Sequence, residues 1–75
     1  MEGIRAKREL VHCSQIALSR DAKVSRTRLQ LAEAGLLTLR PEEFDAVGRV
    51  LREAMERRVA TLRAALLNSG AEANG

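Results

Sequence analysis

The spacing of apolar residues along the chain predicts a small all-α bundle of four to five helices. A first helix is predicted over residues 3–12, because its interior holds helix-favouring residues and neither Gly nor Pro. The apolar residues that it offers for packing are Ile4, Ala6, Leu10 and Val11. His12 is interpreted as a residue that caps the C-terminus of this helix, and Cys13 as a small buried residue.

Two short helices joined by a tight turn follow. The first is predicted at Gln15–Ala22, with Ser14 as its N-cap. Its apolar positions are Ile16, Leu18 and Ala22. The second spans residues 25–34, starts with a capping serine and ends before Gly35, a residue suited to the C′ position. Val24 is the one large apolar residue of the turn, and we expect it to fill the angle between the helices. This is the helix-turn-helix pattern, whose second helix enters the DNA major groove.

The last part of the chain predicts one long amphipathic segment. A loop over residues 36–40 contains three leucines, of which Leu39 is expected to fold back into the core. Pro41 begins the last helix, which continues to about residue 68. One apolar stripe runs along it: Phe44, Val47, Leu51, Met55, Val59, Leu62 and Leu66. Residues 69–75 are small and polar, and are predicted to form a disordered tail.

Two interpretations of this segment compete. A bend near residues 57–58 would give two helices that both pack on the domain. Alternatively, one long helix projects beyond the domain and exposes the end of its stripe. The domain offers too little other surface to bury that stripe, so we favour a homodimer sealed by this segment. The residues predicted to form the dimer contact are Met55, Val59, Leu62 and Leu66.

The composition excludes several classes of protein. The 75 residues make one small domain, predicted over residues 1–68, with no staple to support its core. Cys13 is the sole cysteine, and one Cys with one His does not make a zinc site, so no metal or cofactor is expected. The N-terminus does not read as a signal peptide and no apolar run approaches a membrane span, so we expect a soluble, cytoplasmic, nucleoid-associated protein. No phosphate loop or catalytic constellation is present, which argues against an enzyme.

Basic residues are concentrated in the half that contains the helix-turn-helix. The formal net charge of the chain is +3, and residues 1–40 hold eight Lys or Arg against four acidic residues. Residues 41–68 hold five of each sign. A basic surface is what phosphate binding requires, although charged residues are common on any solvated surface.

Residues from Ile4 to Leu51 resemble the helix-turn-helix regulators of the lambda-repressor and Cro type, also called the xenobiotic-response-element type. The matching positions are Arg8-Glu9, Ser14-Gln15, Leu18, Ala22, Val24-Ser25, Leu29, Glu33, Gly35 and Pro41-Glu42-Glu43. The sequence departs from the family pattern at His12 and Lys23, where Gly is common, and at Ser19, where Ala is usual. The resemblance implies a bundle of about five helices and a DNA-binding repressor or regulator that usually acts as a dimer on inverted repeats.

In that register, the third helix is expected to read bases and its surroundings to bind the DNA backbone. The predicted base contacts are Arg26, Thr27, Arg28 and Gln30, since Arg can fork onto guanine and Gln can pair with adenine. The predicted backbone contacts are Gln15, Arg20, Lys23, Ser25 and Arg40. Half-site centres are expected about 34–36 Å apart, or a multiple of that distance. The competing interpretation is that the arginines are ordinary solvated charges.

A protein-interaction module, such as an antitoxin or anti-activator, is the alternative function. Leu31 lies two residues past Leu29, so it is expected to point away from the core towards the DNA-facing side. It could contact a thymine methyl group. Together with Leu36 and Leu37 it could equally form an apolar patch for a protein partner.

Overall fold

Four α-helices make up the computed structural model, which describes the backbone of residues 2–74 and the side chains of residues 3–68. The helices are α1 Glu2–Leu10, α2 Gln15–Ala22, α3 Arg26–Glu33 and α4 Pro41–Asn74. The described part of the chain contains no strand. The predicted all-α fold is confirmed, with four helices. None of the helices in this part combines the length and the apolar character that crossing a membrane demands.

α1 ends two residues earlier than predicted, in a Schellman motif built around His12. The φ of His12 is 56°, in the left-handed region. Its amide donates to the Glu9 carbonyl at 3.1 Å, and the Cys13 amide donates to the Arg8 carbonyl at 2.9 Å. These two hydrogen bonds satisfy carbonyls at the helix end that have no partner within the helix. The prediction that His12 caps α1 is confirmed.

The inner face of α1 carries a charged residue as well as an apolar one. Ile4 is buried, and Arg8, one turn later, also lies on the inner face. Leu10 is 69% exposed and Ala6 is exposed, so the prediction that these two pack on the core is wrong. They lie on the opposite face, because a step of two residues turns an α-helix by about 200°. The predicted packing of Val11 against the core is confirmed.

α2 and α3 form the predicted helix-turn-helix. Ser14 Oγ accepts a hydrogen bond from the Ala17 amide at 3.1 Å, and Ser25 Oγ accepts one from the Arg28 amide at 3.2 Å. Both serines are therefore N-caps, as predicted. Val24 is only 3% exposed and fills the angle between the helices, which confirms its predicted role.

Of the three apolar positions of α2, Ile16 alone does not pack on the core. Its side chain is 57% exposed, whereas Leu18 and Ala22 of the same helix are buried. These two residues are one turn apart and define the inner face of α2. Ile16 lies about 160° around the helix from Leu18, so it faces solvent.

The segment between α3 and α4 returns to the core before the last helix begins. Gly35 has a φ of 77°, and the Leu36 amide donates to the Leu31 carbonyl at 2.9 Å, so α3 also ends in a Schellman motif. Leu39 is buried, as predicted. The Arg40 amide donates to a Glu43 carboxylate oxygen at 2.9 Å, which is the backbone half of a capping box at the start of α4.

α4 is one unbroken helix, so the interpretation with two helices meeting near residues 57–58 is wrong. Its first half packs on the domain through Val47, Val50 and Leu51, which are buried. The second half projects beyond the domain, and Leu66 on the apolar stripe is 76% exposed. The molecule is 53 Å long, close to the about 51 Å that a straight helix of 34 residues spans.

The helical backbone continues to Asn74, and this corrects the predicted tail. Residues 69–74 are helical where the sequence predicted disorder, while Gly75 lies outside the described residues. Ala71, Glu72 and Ala73 are favourable helix residues, and no Pro interrupts the segment. The core lies entirely between the four helices, closer to the N-terminal half of α4. Its buried residues are Ile4, Leu18, Ala22, Val24, Leu29, Ala32, Leu39, Val47, Val50 and Leu51.

Candidate nucleic-acid interface

The outer face of α3 presents three polar side chains to solvent. Arg26, Thr27 and Gln30 are all exposed, whereas Leu29 and Ala32 on the inner face are buried. Within the described part of the chain, no hydrogen bond or ion pair of a side chain holds any of the three. They lie among the first five residues of α3, at the end by which a recognition helix contacts bases. Three of the four predicted base contacts therefore share one free surface.

Arg28, the fourth predicted base contact, is bound inside the molecule. Its Nε donates to Glu43 Oε2 at 2.8 Å and its Nη2 donates to Glu43 Oε1 at 2.7 Å. This bidentate pair uses the guanidinium fork that would bind guanine. The prediction that Arg28 reads a base is therefore replaced by a structural role, which is to tie α3 to the start of α4.

Glu43 is held in its charged form by this arrangement. The hydrogen bonds from Arg28 come first, followed by the hydrogen bond from the Arg40 amide, and together they lower the pKa of Glu43 from 4.5 to about 2. The same pair raises the pKa of Arg28. At neutral pH both partners are charged, so α3 stays fastened to α4 on the side away from its free surface.

A second ion pair ties α1 to α3. Arg8 donates to Glu33 through Nε at 3.1 Å and through Nη2 at 2.9 Å, and its Nη1 donates to the Cys13 carbonyl at 3.2 Å. The side chains of Arg8 and Glu33 are only 14% and 5% exposed. Hydrogen bonding to Glu33 raises the pKa of Arg8. The pair is thus a nearly buried link between the first and third helices.

Gln15 joins this link and is not placed as a free phosphate clamp. Its Nε2 donates to Glu33 Oε1 at 3.3 Å, and its side chain is half-buried. The amide that was expected to reach DNA thus stabilises the packing of α2 on α3. Glu33 binds both Arg8 and Gln15, so three helices meet at one carboxylate, which sets the direction of α3.

An open groove of about 450 Å³ lies between α1, the start of α2 and the outer face of α3. Arg26 and Gln30 line it from α3, and Arg5 lines it from α1. Arg5 is an exposed cation that sequence reasoning missed, because nothing in its local pattern separates it from the other charges of α1. Its Nε donates to Glu9 at 3.0 Å, across one helical turn. The groove thus joins the free face of α3 to a basic residue of another helix.

The remaining predicted contacts to the DNA backbone are exposed, but they differ in whether their side chains already have intramolecular partners. The side chains of Lys23 and Arg40 are exposed, and in the part of the chain that the structure describes neither forms a hydrogen bond or ion pair, although the charge of Arg40 helps to lower the pKa of Glu43. Arg20 pairs with its neighbour Asp21 at 3.1 Å. Ser25 uses its oxygen to cap α3 and keeps its hydroxyl hydrogen available. Two exposed cations without an ion pair among the described residues therefore flank the turn and the start of α4.

Part of the predicted leucine patch is exposed. Leu36 is 76% exposed and Leu31 is 36% exposed, as expected from the position of Leu31 on the outer side of α3. Leu37 packs against the core, so it is not available to a partner to the same degree.

Burial raises the pKa of the Cys13 thiol, and this keeps the thiol protonated at neutral pH.

The four residues predicted to form a dimer contact lie on the part of α4 that leaves the domain. Val59, Leu62 and Leu66 are exposed, and Met55 is half-buried at the edge of the domain. They follow one another at spacings of four, three and four residues, and so share one side of the helix.

Comparisons of the chain with protein-family models, with curated proteins and with solved structures find no match. The function must therefore be argued from the helix-turn-helix and its exposed residues.

Proposed function

We propose that this chain is a sequence-specific DNA-binding regulator of transcription, which acts in the cytoplasm on the nucleoid as a homodimeric repressor of an inverted repeat. The resemblance to the lambda-repressor and Cro type of regulator is part of this proposal. The observation that carries it is the contrast between the two sides of α3. The buried side is bordered by two bidentate ion pairs, one of which also lines the groove beside Arg26 and Gln30, and the exposed side presents free polar side chains.

Arg26 and Gln30 are the side chains that we propose to read bases. An arginine fork matches O6 and N7 of guanine, and a glutamine amide matches N6 and N7 of adenine. The two residues are one turn apart on the exposed side of α3, so both face one groove. Thr27, between them in sequence, is exposed and offers a hydroxyl and a methyl group. The half-site is expected to contain a guanine opposite Arg26.

Lys23 and Arg40 are proposed to bind DNA phosphates on either side of the DNA groove that α3 enters. Both are exposed cations whose side chains form no ion pair among the described residues, so neither has to break an ion pair on binding. Phosphate contacts position a protein on the duplex without selecting a sequence. The loss of either side chain should weaken binding to all sequences alike.

The experiment is a selection from random duplex oligonucleotides with the purified wild-type chain and with two variants. Arg26→Ala removes a charge from the free face of α3, and Arg49→Ala removes the same charge from an exposed position of α4. We expect a palindromic motif with the wild type and with Arg49→Ala. Arg26→Ala should lose about 1–3 kcal/mol of binding free energy at one guanine, so that the selected motif no longer prefers guanine at that position.

A motif that survives Arg26→Ala unchanged would refute base reading by α3. The absence of any enriched motif would favour the protein-interaction function. For that function the exposed side chain of Leu36, beside Leu31, is the specific observation. Capture of a heterocomplex that Leu36→Ser abolishes would then identify the partner-binding surface.

A further inference from the structure

The exposed second half of α4 has the residue pattern of a short coiled-coil seam. Val59 and Leu66 occupy a positions of a heptad, and Met55 and Leu62 occupy d positions. The seam lies on the side of α4 that carries Gly48, one heptad before Met55, so it starts where the domain ends. An apolar seam of this kind needs a second helix to cover it.

We propose that a second copy of the chain covers this seam with its own α4 in antiparallel orientation. Met55 lies opposite the partner's Leu66, and Val59 lies opposite the partner's Leu62. By two-fold symmetry each of these layers occurs twice, so all four apolar residues of both helices are paired. The inference deepens the dimer of the proposed function and does not depend on DNA binding.

The charges beside the seam favour this orientation over the parallel one. Glu56 and Arg63 are both exposed and occupy e positions. In an antiparallel pair e positions face e positions, and the proposed alignment puts Glu56 beside the partner's Arg63, about 3 Å apart along the helix axis. The contact occurs twice in the dimer, and each instance joins opposite charges.

A parallel pair would bring like charges together. Arg58 occupies a g position and is exposed. In a parallel coiled coil a g residue faces the e residue five positions later in the partner, which is the partner's Arg63. Two arginine pairs would then flank the seam and repel each other. In the antiparallel alignment Arg58 faces the partner's Ala65, which is neutral.

The charges also select the register. Sliding the antiparallel helices apart by one heptad would set Arg63 against the partner's Arg63. Sliding them together by one heptad would set Glu56 against the partner's Glu56. Of these three alignments, the proposed one alone pairs all four apolar residues and joins opposite charges at the e positions.

An apolar groove prolongs the seam into the domain. The groove, of about 350 Å³, lies between α1 and α4 and is lined by Ile4, Phe44, Gly48 and Met55 among other residues. A Cβ added at Gly48 would meet no atom within 4 Å, so the groove is open at that point. In the antiparallel alignment the partner's helix passes Met55 and continues along this groove. The two Val47 positions then lie about 40 Å apart along the seam, comparable with one DNA turn of about 34–36 Å.

Two charge reversals distinguish the orientations, because they give opposite results in them. Arg63→Glu and Arg58→Glu make the same change of charge at exposed positions, and neither arginine has a charged residue three or four positions away on the helix. The measurement is the dimer dissociation constant from sedimentation equilibrium of the full chain at low salt without DNA. Arg63→Glu should raise this constant about tenfold, because two exposed attractions become repulsions. Arg58→Glu should change it less than threefold.

A third variant tests the specific contact. Adding Glu56→Arg to Arg63→Glu exchanges the two charges and should return the dissociation constant to within about threefold of the wild-type value. Tighter dimers with either single reversal would overturn the proposal in favour of parallel helices. Equal weakening by both reversals, no weakening by either, or a chain that stays monomeric would also overturn it. DNA binding measured on the same samples separates any such failure from failure of the proposed function.

Discussion

The nearly buried pair of Arg8 and Glu33 predicts a large loss of stability when one partner loses its charge. Glu33→Gln keeps the shape of the side chain but leaves the Arg8 guanidinium without an anion in a site where it is only 14% exposed. Removing one partner of a buried pair costs about 3–5 kcal/mol. The glutamine oxygen still accepts one hydrogen bond, and the Cys13 carbonyl still accepts another, so we expect about 2–3 kcal/mol.

That loss is a large part of the free energy of unfolding expected for a chain of this length. Small proteins have about 0.05–0.15 kcal/mol of stability per residue, which gives about 4–11 kcal/mol here. The assay is urea unfolding at pH 7 followed by circular dichroism at 222 nm, at one protein concentration so that the proposed self-association contributes equally to every variant. With a urea dependence of about 1 kcal/mol/M, the midpoint should fall by about 2–3 M.

Glu9→Gln is the matched control. Glu9 also pairs with an arginine, Arg5, but their side chains are 59% and 71% exposed. Exposed pairs of this kind contribute about 0.2–1 kcal/mol, so the midpoint should move by about 1 M or less. Equal shifts in the two variants would refute the reasoning that burial makes the Glu33 carboxylate a central link between helices.

Two further predictions concern the backbone and the response to pH. His12 and Lys23 have φ values of 56° and 57°, where a Cβ is disfavoured, so replacing either by Gly should stabilise the fold by about 0.5–1 kcal/mol. Urea unfolding measures this, and destabilisation by both variants would contradict it. Hydrogen bonds from Arg28 and the Arg40 amide hold the pKa of Glu43 in the folded chain at about 2, against an ordinary 4.5. The Glu43 carboxylate therefore stabilises the fold fully above about pH 4.5, and this stabilisation is lost as the pH falls towards 2. Melting temperatures between pH 5 and 2 should therefore fall less steeply for Glu43→Gln than for the wild type, and parallel curves would show that the pair contributes nothing.

Local patterns along the sequence were sufficient for the helices and for the residues that shape the turns. Val24 is the one large apolar residue of its turn, and Leu39 is one of three leucines in a short loop; both are buried as predicted. The capping role of His12 was also predicted, although α1 ends two residues earlier than its predicted boundary. The predicted caps Ser14 and Ser25 also follow from residue type and spacing alone.

The interhelical ion pairs could not be predicted in the same way. Arg28 precedes its partner Glu43 by fifteen residues, and Arg8 precedes Glu33 by twenty-five. A local pattern shows that these residues are charged, but it does not show which helix each will face. This is why Arg28 was predicted to read a base. For the same reason Leu10 was predicted to pack on the core, although Arg8 occupies the inner face instead.

The measurement that tests the proposed function most directly is the ratio of two affinities. The wild-type chain is titrated into the duplex recovered from selection and into a duplex of the same composition with both half-sites scrambled, at one salt concentration near 150 mM. Specific regulators prefer their site by about 10³-fold or more, and we expect a ratio of that order for the wild-type chain. In Arg26→Ala the ratio should fall towards one, because the affinity for the selected duplex approaches that for the scrambled duplex. Equal affinity for the two duplexes would contradict sequence-specific DNA binding by this chain.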